Sequence, residues 1–318
     1  MNSTVTAANE KTVIPRQKYH LGKRMFRDRY LYLLALPGLL FFLILKFVPM
    51  GGIVIAFQNY SHYIGILKSP WVGFDHFIRL FTGDQFWLLL RNTMAISLLN
   101  LFFFFPLPII ISLLLNELRS NRYKRVIQTI IYLPHFLSWV IIVSLTFLML
   151  SVSQGVINQV IEMAGYDKYP FLTEPKIFWL MLTLQSIWKD AGWGTIIFLA
   201  AMASVDPQLY EAAKMDGAGR LRSMWHVTLP AIRNVVVILF ILQLGNIMDV
   251  GFEQVFLMGN GAVSNVAEVF ETYVYRMGIQ QGQFSFSTAV GLFKSAIGLI
   301  LVVMANYMSK KMGEEGVF

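Results

Sequence analysis

The chain alternates between long apolar runs and short polar segments rich in basic residues. A helix needs about 20 mostly apolar residues to cross a hydrocarbon core. Six stretches meet that need: 31–57, 86–115, 126–150, 177–204, 235–250 with its flanks, and 288–308. The fifth has the shortest clean run, because polar residues begin at Gln243. Pro106 and Pro108 fall in the second stretch and Pro134 in the third. These read as kinks, which membrane helices tolerate when neighbours satisfy the freed carbonyls. The pattern predicts an all-α integral membrane protein whose six spans occupy residues 30–308. A basic tail precedes them over 1–29, and a short tail follows over 309–318. The leading segment does not read as a signal peptide, since the apolar run behind it is too long and lacks a small-residue cleavage site.

Six spans put both ends of the chain on one side, and the basic residues choose which. Seventeen lysines and arginines fall on one set of segments: seven before the first span, then Arg119, Arg122, Lys124 and Arg125, then Lys214, Arg220, Arg222 and Arg233, then Lys310 and Lys311. Only four, Lys68, Arg79, Lys168 and Arg276, fall on the other. The positive-inside rule makes the richer side cytoplasmic. The external segments are then about 58–85, 151–175 and 251–285, too short for a sizeable outer domain. The longest ordered internal connection is 205–230.

Composition agrees with this class. Hydrophobic residues make up 56% of the chain and charged ones 14%, where a soluble domain carries about a quarter charged. The net charge of +8 does not indicate nucleic acid, because its basic residues sit beside the ends of apolar runs. The absence of cysteine excludes disulfides, thiolate metal sites and cysteine nucleophiles.

The internal connection reads SVDPQLYEAAKMDGAGRLRSMWHVTLP over residues 204–230. Asp206 is a good N-cap, and Pro207 suits the first helical position. The helix this starts is about ten residues, roughly 15 Å, and cannot cross a bilayer. Gly217 permits the backbone reversal that ends it. A second helical stretch is expected from Ala218, and Pro230 leads into the fifth span. By composition alone, such a segment reads as an amphipathic helix resting on the membrane surface.

Glu211-Ala212-Ala213, Asp216-Gly217-Ala218 and Val227-Thr228-Leu229-Pro230 together resemble the EAA signature of permeases in binding-protein-dependent ABC importers. The stretches LPGLLFF at 36–42, Ser69-Pro70-Trp71-Val72-Gly73-Phe74, Tyr132-Leu133-Pro134-His135-Phe136 and the run from Tyr275 to Phe284 are similar to sugar-importer permeases. The likeness is to the oligosaccharide and polysaccharide branch, including alginate importers. It implies a type I permease bundle in which the loop forms a coupling helix docked on a cytoplasmic ATPase. Glu211, Ala212, Ala213, Asp216, Gly217, Leu229 and Pro230 would form the ATPase-coupling set. The implied partners are a second permease subunit, two ATPase subunits that use ATP and Mg, an external sugar-binding protein and the lipid bilayer of a bacterial inner membrane.

No G-x-x-x-x-G-K-[ST] loop occurs, so the resemblance assigns ATP to the partners, with no cofactor held by this chain. The five histidines are scattered without a zinc spacing, and no G-x-S-x-G elbow occurs. A transport subunit without its own catalysis is expected. An ion-driven transporter, or a permease for peptides or amino acids, is the competing reading.

Charged residues within spans usually face a cavity or a partner. Lys189 and Asp190 lie about 21 Å from the cytoplasmic end of the fourth span. With Trp188 and Trp193 they would form a sugar-lined path, or else a salt bridge with tryptophans anchored at headgroup depth. Asn246, Asp249 and Glu253 would share one face of the fifth helix and line the cavity, or cap a solvated helix end. Arg91 and Asn92 read as snorkelling to the headgroups, and Lys294 as a paired structural charge.

Overall fold

The computed structural model describes residues 28–313 and 316–317. Most of the basic tail, Lys11 to Arg27, lies outside the described residues, as do Glu314, Glu315 and Phe318. Described residues up to Ile53 belong to one compact unit and those from Val54 to a second. All packing described below is within the second. Among the described residues there is no sheet, only an isolated antiparallel bridge between Gln58 and Trp71.

The helices, in chain order, are α1 (Arg29–Phe57), α2 (Asp75–Thr82), α3 (Gln85–Asn116), α4 (Asn121–Phe136), α5 (Trp139–Leu150), α6 (Val156–Met163), α7 (Pro175–Ala203), α8 (Pro207–Met215), α9 (Arg220–Ala231), α10 (Arg233–Gly245), α11 (Phe252–Met258), α12 (Phe270–Tyr275) and α13 (Phe284–Lys311). By length and apolarity α1, α3 and α13 cross a membrane, and α4 with α5 and α9 with α10 qualify as broken pairs. Helix α7 has 29 residues, about 43 Å at the α-helical rise, and Lys189 and Asp190 lower its apolarity. Counting each pair as one span gives five, and α7 is a sixth helix long enough to cross.

The prolines act differently at different places. Within α1, α3 and α9 the chain opens into a wide turn just before Pro49, Pro106 and Pro230. There Val48 donates to the Leu43 carbonyl, Phe105 to Asn100 and Leu229 to Met224, each five residues back. The widened turn carries the helix past a residue that has no N–H and crowds the carbonyl before it. At Pro134 the helix does not survive. Leu137 is extended, Ser138 restarts the chain as an N-cap, and α4 and α5 meet at 99°. The expected single kinked span at 126–150 is therefore an elbow of two short helices. The fifth span also differs: α10 stops at Gly245, and α9 precedes it at 62°.

The core is built around α7. Phe178 and Leu182 pack with Ile96, Val143, Val255 and Met258, while farther along the same helix Phe198 and Met202 pack with Ile232. Phe86, Leu89, Phe270, Phe286 and Val290 form a second centre. Residues 251–285, expected as an external connection, thus place α11 and α12 inside the bundle. Side chains from the long helices satisfy this segment's backbone. Asn92, fully buried, donates to the carbonyls of Asn265 at 3.1 Å and Glu268 at 2.8 Å, and Trp179 donates to Val266 at 2.9 Å. Arg91 donates to the Asn265 carbonyl at 2.6 Å. Buried Asn92 does not snorkel but takes this duty, because buried carbonyls in hydrocarbon are costly without donors, while Arg91 beside it stays exposed.

Candidate functional site

Helix α8 stands where the loop pattern predicts it. Asp206 accepts the Gln208 N–H at 2.9 Å, and Pro207 fills the first helical position. At the other end Gly217 adopts φ +77°. The Ala218 N–H reaches the Ala213 carbonyl at 2.9 Å and the Gly217 N–H reaches Lys214 at 3.0 Å. That double bond pattern is a Schellman closure, which needs the left-handed glycine. Glu211, Ala212, Asp216 and Gly217 are exposed, and Ala213 is half-buried. Leu209, Met215, Leu221 and Trp225 are exposed beside them. Tyr210 OH meets Thr228 Oγ1 at 3.1 Å and ties α8 to α9. Leu229 is half-buried and Pro230 exposed, just past the widened turn of α9. Helix α8 is thus capped at both ends, with apolar and acidic groups turned outward.

Lys189, Asp190 and Trp193 meet a different structure. The Lys189 ammonium donates to the carbonyls of His135 and Leu137, both at 2.7 Å, at the elbow of α4 and α5. His135 donates from Nδ1 to Asp190 Oδ1 at 2.7 Å, and its ring stacks on Trp193 with centroids 4.3 Å apart. Lys189 and Asp190 thus serve the elbow and not each other. Trp188 instead faces an apolar cleft of about 610 Å³ between α5 and α7. The four residues do not converge on one surface.

A cavity of about 760 Å³ opens between the end of α10, α12 and α13, with Asn246, Asp249, Glu271 and Lys294 on its wall. Lys294 lies 2.6 Å from Asp249 and 3.5 Å from Glu271. Glu271 also accepts the Val250 N–H at 3.2 Å. Burial raises the Glu271 carboxyl above its ordinary value, against the lowering influence of Lys294. Phe252 and Tyr275, rings 5.1 Å apart, supply an aromatic side to the same space. The helical face expected to join Asn246, Asp249 and Glu253 does not exist. The chain leaves the helix after Gly245 and turns at Gly251, φ +92°, before α11 begins. Asn246 and Asp249 still reach the cavity, while Glu253 is exposed on α11 and is not among its walls.

Residues 104–314 match the family described as binding-protein-dependent transport system inner membrane component. The chain belongs to this family. Among its relatives, the polygalacturonan/rhamnogalacturonan transport system permease protein YteP of Bacillus subtilis strain 168 is 57% identical over 295 residues, covering 93% of this chain and 92% of the relative. Protein LplB of the same organism is 56% identical over 292 residues, 92% of each chain. A chain in the crystal structure of a bacterial alginate ABC transporter, in complex with an alginate pentasaccharide-bound periplasmic protein, superposes with TM-score 0.85. It is 39% identical and covers 94% of this chain and 100% of that one. The protein is thus an ABC importer permease with the type I fold, a membrane subunit and not an enzyme.

Within this permease, two features escaped sequence reasoning. Glu271 sits amid the 251–285 connection, and nothing in its neighbourhood signals a carboxylate facing Lys294. His135 stands in a recognisable stretch, Tyr132 to Phe136, but its pairing with Asp190 depends on an elbow that a single proline does not announce.

Proposed function

We propose that this permease forms one half of an import path for oligosaccharides, with uronate-rich polysaccharide fragments as the substrate class, alginate among them. Its companions are a second permease subunit, two cytoplasmic ATPases that supply ATP and Mg chemistry, and an external binding protein. The observation that carries the coupling reading is α8, an exposed helix capped at both ends beside a membrane-embedded bundle. Glu211, Ala212, Ala213, Asp216 and Gly217 form its docking surface, and Leu229 and Pro230 lead the motion into α10. Both chain ends and α8 lie in the cytoplasm. ATP binding draws the ATPases together, α8 moves with them, and the spans switch between two packed states. The substrate class rests on the relatives: one is named for polygalacturonan and rhamnogalacturonan transport, and a solved neighbour carries alginate on its periplasmic protein.

Asn246 and Asp249, with Glu271, Lys294 and the Phe252–Tyr275 pair, offer hydrogen-bonding groups and an aromatic face suited to sugar rings. We place the solute path at that cavity, and Trp188, Lys189, Asp190, Trp193 and Glu253 outside it. The test is ATP-dependent uptake in proteoliposomes holding the full complex, offered oligogalacturonides, alginate oligomers, neutral oligosaccharides and peptides. Uptake of the acidic oligomers above the rest is expected. Uptake of peptides alone refutes the substrate class, and uptake driven by an ion gradient without ATP refutes the importer mechanism.

A further inference from the structure

The side chains in the middle of α7 belong neither to the coupling surface nor to the polar cavity, and their geometry is that of a mechanical joint. Over two turns of α7, five neighbouring residues engage the stretch from Ile131 to Leu137. Lys189 bonds the His135 and Leu137 carbonyls, and Asp190 bonds the His135 ring. Ring stacking follows one turn on, with Trp193 parallel to His135 within 4°. Gly192 lies so close to α4 that any β-carbon there would overlap the Ile131 carbonyl. Thr195 Oγ1 meets Tyr132 OH at 3.3 Å. Residues three and four apart share a helix face, so these contacts form one continuous strip. Beyond the elbow the packing changes. There α5 and α7 are separated by the apolar cleft of about 610 Å³, bridged by the Gln185–Thr146 hydrogen bond at 2.8 Å. The elbow is gripped tightly, and the arm beyond it loosely.

Helix α7 ends at Ala203, and only Ser204 and Val205 separate it from the Asp206 cap of α8. A displacement of α8 therefore reaches α7 directly. We propose that Lys189 and Asp190 are positioning residues for transport, which lock the α4–α5 elbow to α7 so that the elbow travels with α7 when the coupling helix moves. This rests on the coupling role of α8 proposed above. Two charge-assisted bonds to carbonyls at a break in the membrane hold far more firmly than apolar contact, and carbonyls at a packed joint switch position together with the group that holds them.

The experiment uses the full complex in proteoliposomes. In Lys189→Met the ATPases stay bound and hydrolyse ATP, and solute imported per ATP falls by about tenfold or more, the loss expected for removing charged hydrogen bonds. Lys189→Arg, which can still donate to both carbonyls, restores most of that ratio. A residue that only supported the fold would lower the amount of assembled complex and leave the ratio unchanged, an outcome that overturns the proposal. A second measurement does not depend on the variant's assembly. The chain has no cysteine, so spin labels at the exposed positions Leu133→Cys in the elbow and Ile197→Cys on α7, in a complex whose other subunits lack cysteine, report one distance. That distance should stay narrow and unchanged when a non-hydrolysable ATP analogue binds, and broaden in Lys189→Met. A shift on nucleotide binding in the otherwise unaltered protein overturns the joint by itself. Parallel Glu211→Ala and Gly217→Ala variants separate the two readings. If they uncouple while Lys189→Met stays fully coupled, the joint fails and the coupling helix stands. If they stay fully coupled, the role of α8 fails.

Discussion

Gly217 carries a left-handed backbone, φ +77°, at the point where the chain turns back after α8. An added β-carbon would meet open space, with nothing within 4 Å, so a substitution there is penalised by backbone conformation alone. The left-handed region costs an L-residue about 1–2 kcal/mol, and asparagine tolerates it better than alanine. That energy is a factor of about 5–30 in the population of the closed turn. Gly217→Ala should weaken binding of the ATPase subunit to the permease in nanodiscs by about that factor, with Gly217→Asn falling between it and the parent. Equal affinity for all three forms would show that the Schellman closure does not shape the docking surface. Gly192 is the opposite case. Its φ is ordinary, and what requires glycine there is the Ile131 carbonyl pressed against its Cα. The two glycines look alike in the sequence, yet one serves a turn and the other a helix contact.

At the scale of elements, small residues decide how closely helices approach, as is usual in membranes where apolar burial does not drive one helix against another. Helices α10 and α13 meet at Gly245 and Gly298: a β-carbon on Gly298 would overlap the Gly245 carbonyl, and one on Gly245 would fall 2.6 Å from Val302 Cγ2. Since the obstacle at Gly298 is backbone, the helices must part to admit a side chain. Gly298→Val should destabilise the permease by about 1–3 kcal/mol, read as a lower midpoint of thermal unfolding in detergent. Gly291→Ala, on the same helix with open space around it, should leave the midpoint within the scatter of surface substitutions, roughly 0.5 kcal/mol. A matching loss in Gly291→Ala would show that the cost does not arise at the Gly245–Gly298 contact, since alanine is the better helix former. The elements themselves were largely legible. Helix α8 announced itself through Asp206, Pro207 and Gly217, whose effects are local, and the long spans through their apolar length. What was not legible depended on distant partners. Whether Pro134 kinks or breaks its helix is settled by Lys189, 54 residues away in sequence, which satisfies the carbonyls of the break. The fifth helix ends at Gly245 although its periodicity continues, and Asp249 finds Lys294 only after that turn. Pairing the charge of Lys294 was expected; its partners could not be named from the chain.

At the scale of the whole molecule, orientation in the bilayer follows from an uneven charge distribution. Seventeen basic residues on one set of connections face four on the other, and the positive-inside rule predicts the richer side in the cytoplasm. Residue 67 lies on the poorer side and residue 215 on the richer, within α8. Both side chains are open to solvent, Leu67 at 99% and Met215 at 88% exposure. Because the chain lacks cysteine, Leu67→Cys and Met215→Cys each introduce a single reactive site with no background from this subunit. A membrane-impermeant maleimide applied to intact cells stripped of their wall should label Leu67→Cys and spare Met215→Cys. Opening the membrane should expose the second, and bound ATPase should then shield it, as the docking role proposed for α8 requires. The opposite labelling order would invert the topology and place α8 where no ATPase can reach it. Labelling of Met215→Cys that is unaffected by added ATPase would keep the topology but move the docking surface away from α8. The distribution of charge and the exposure of one helix are independent observations, and the importer reading requires that they agree.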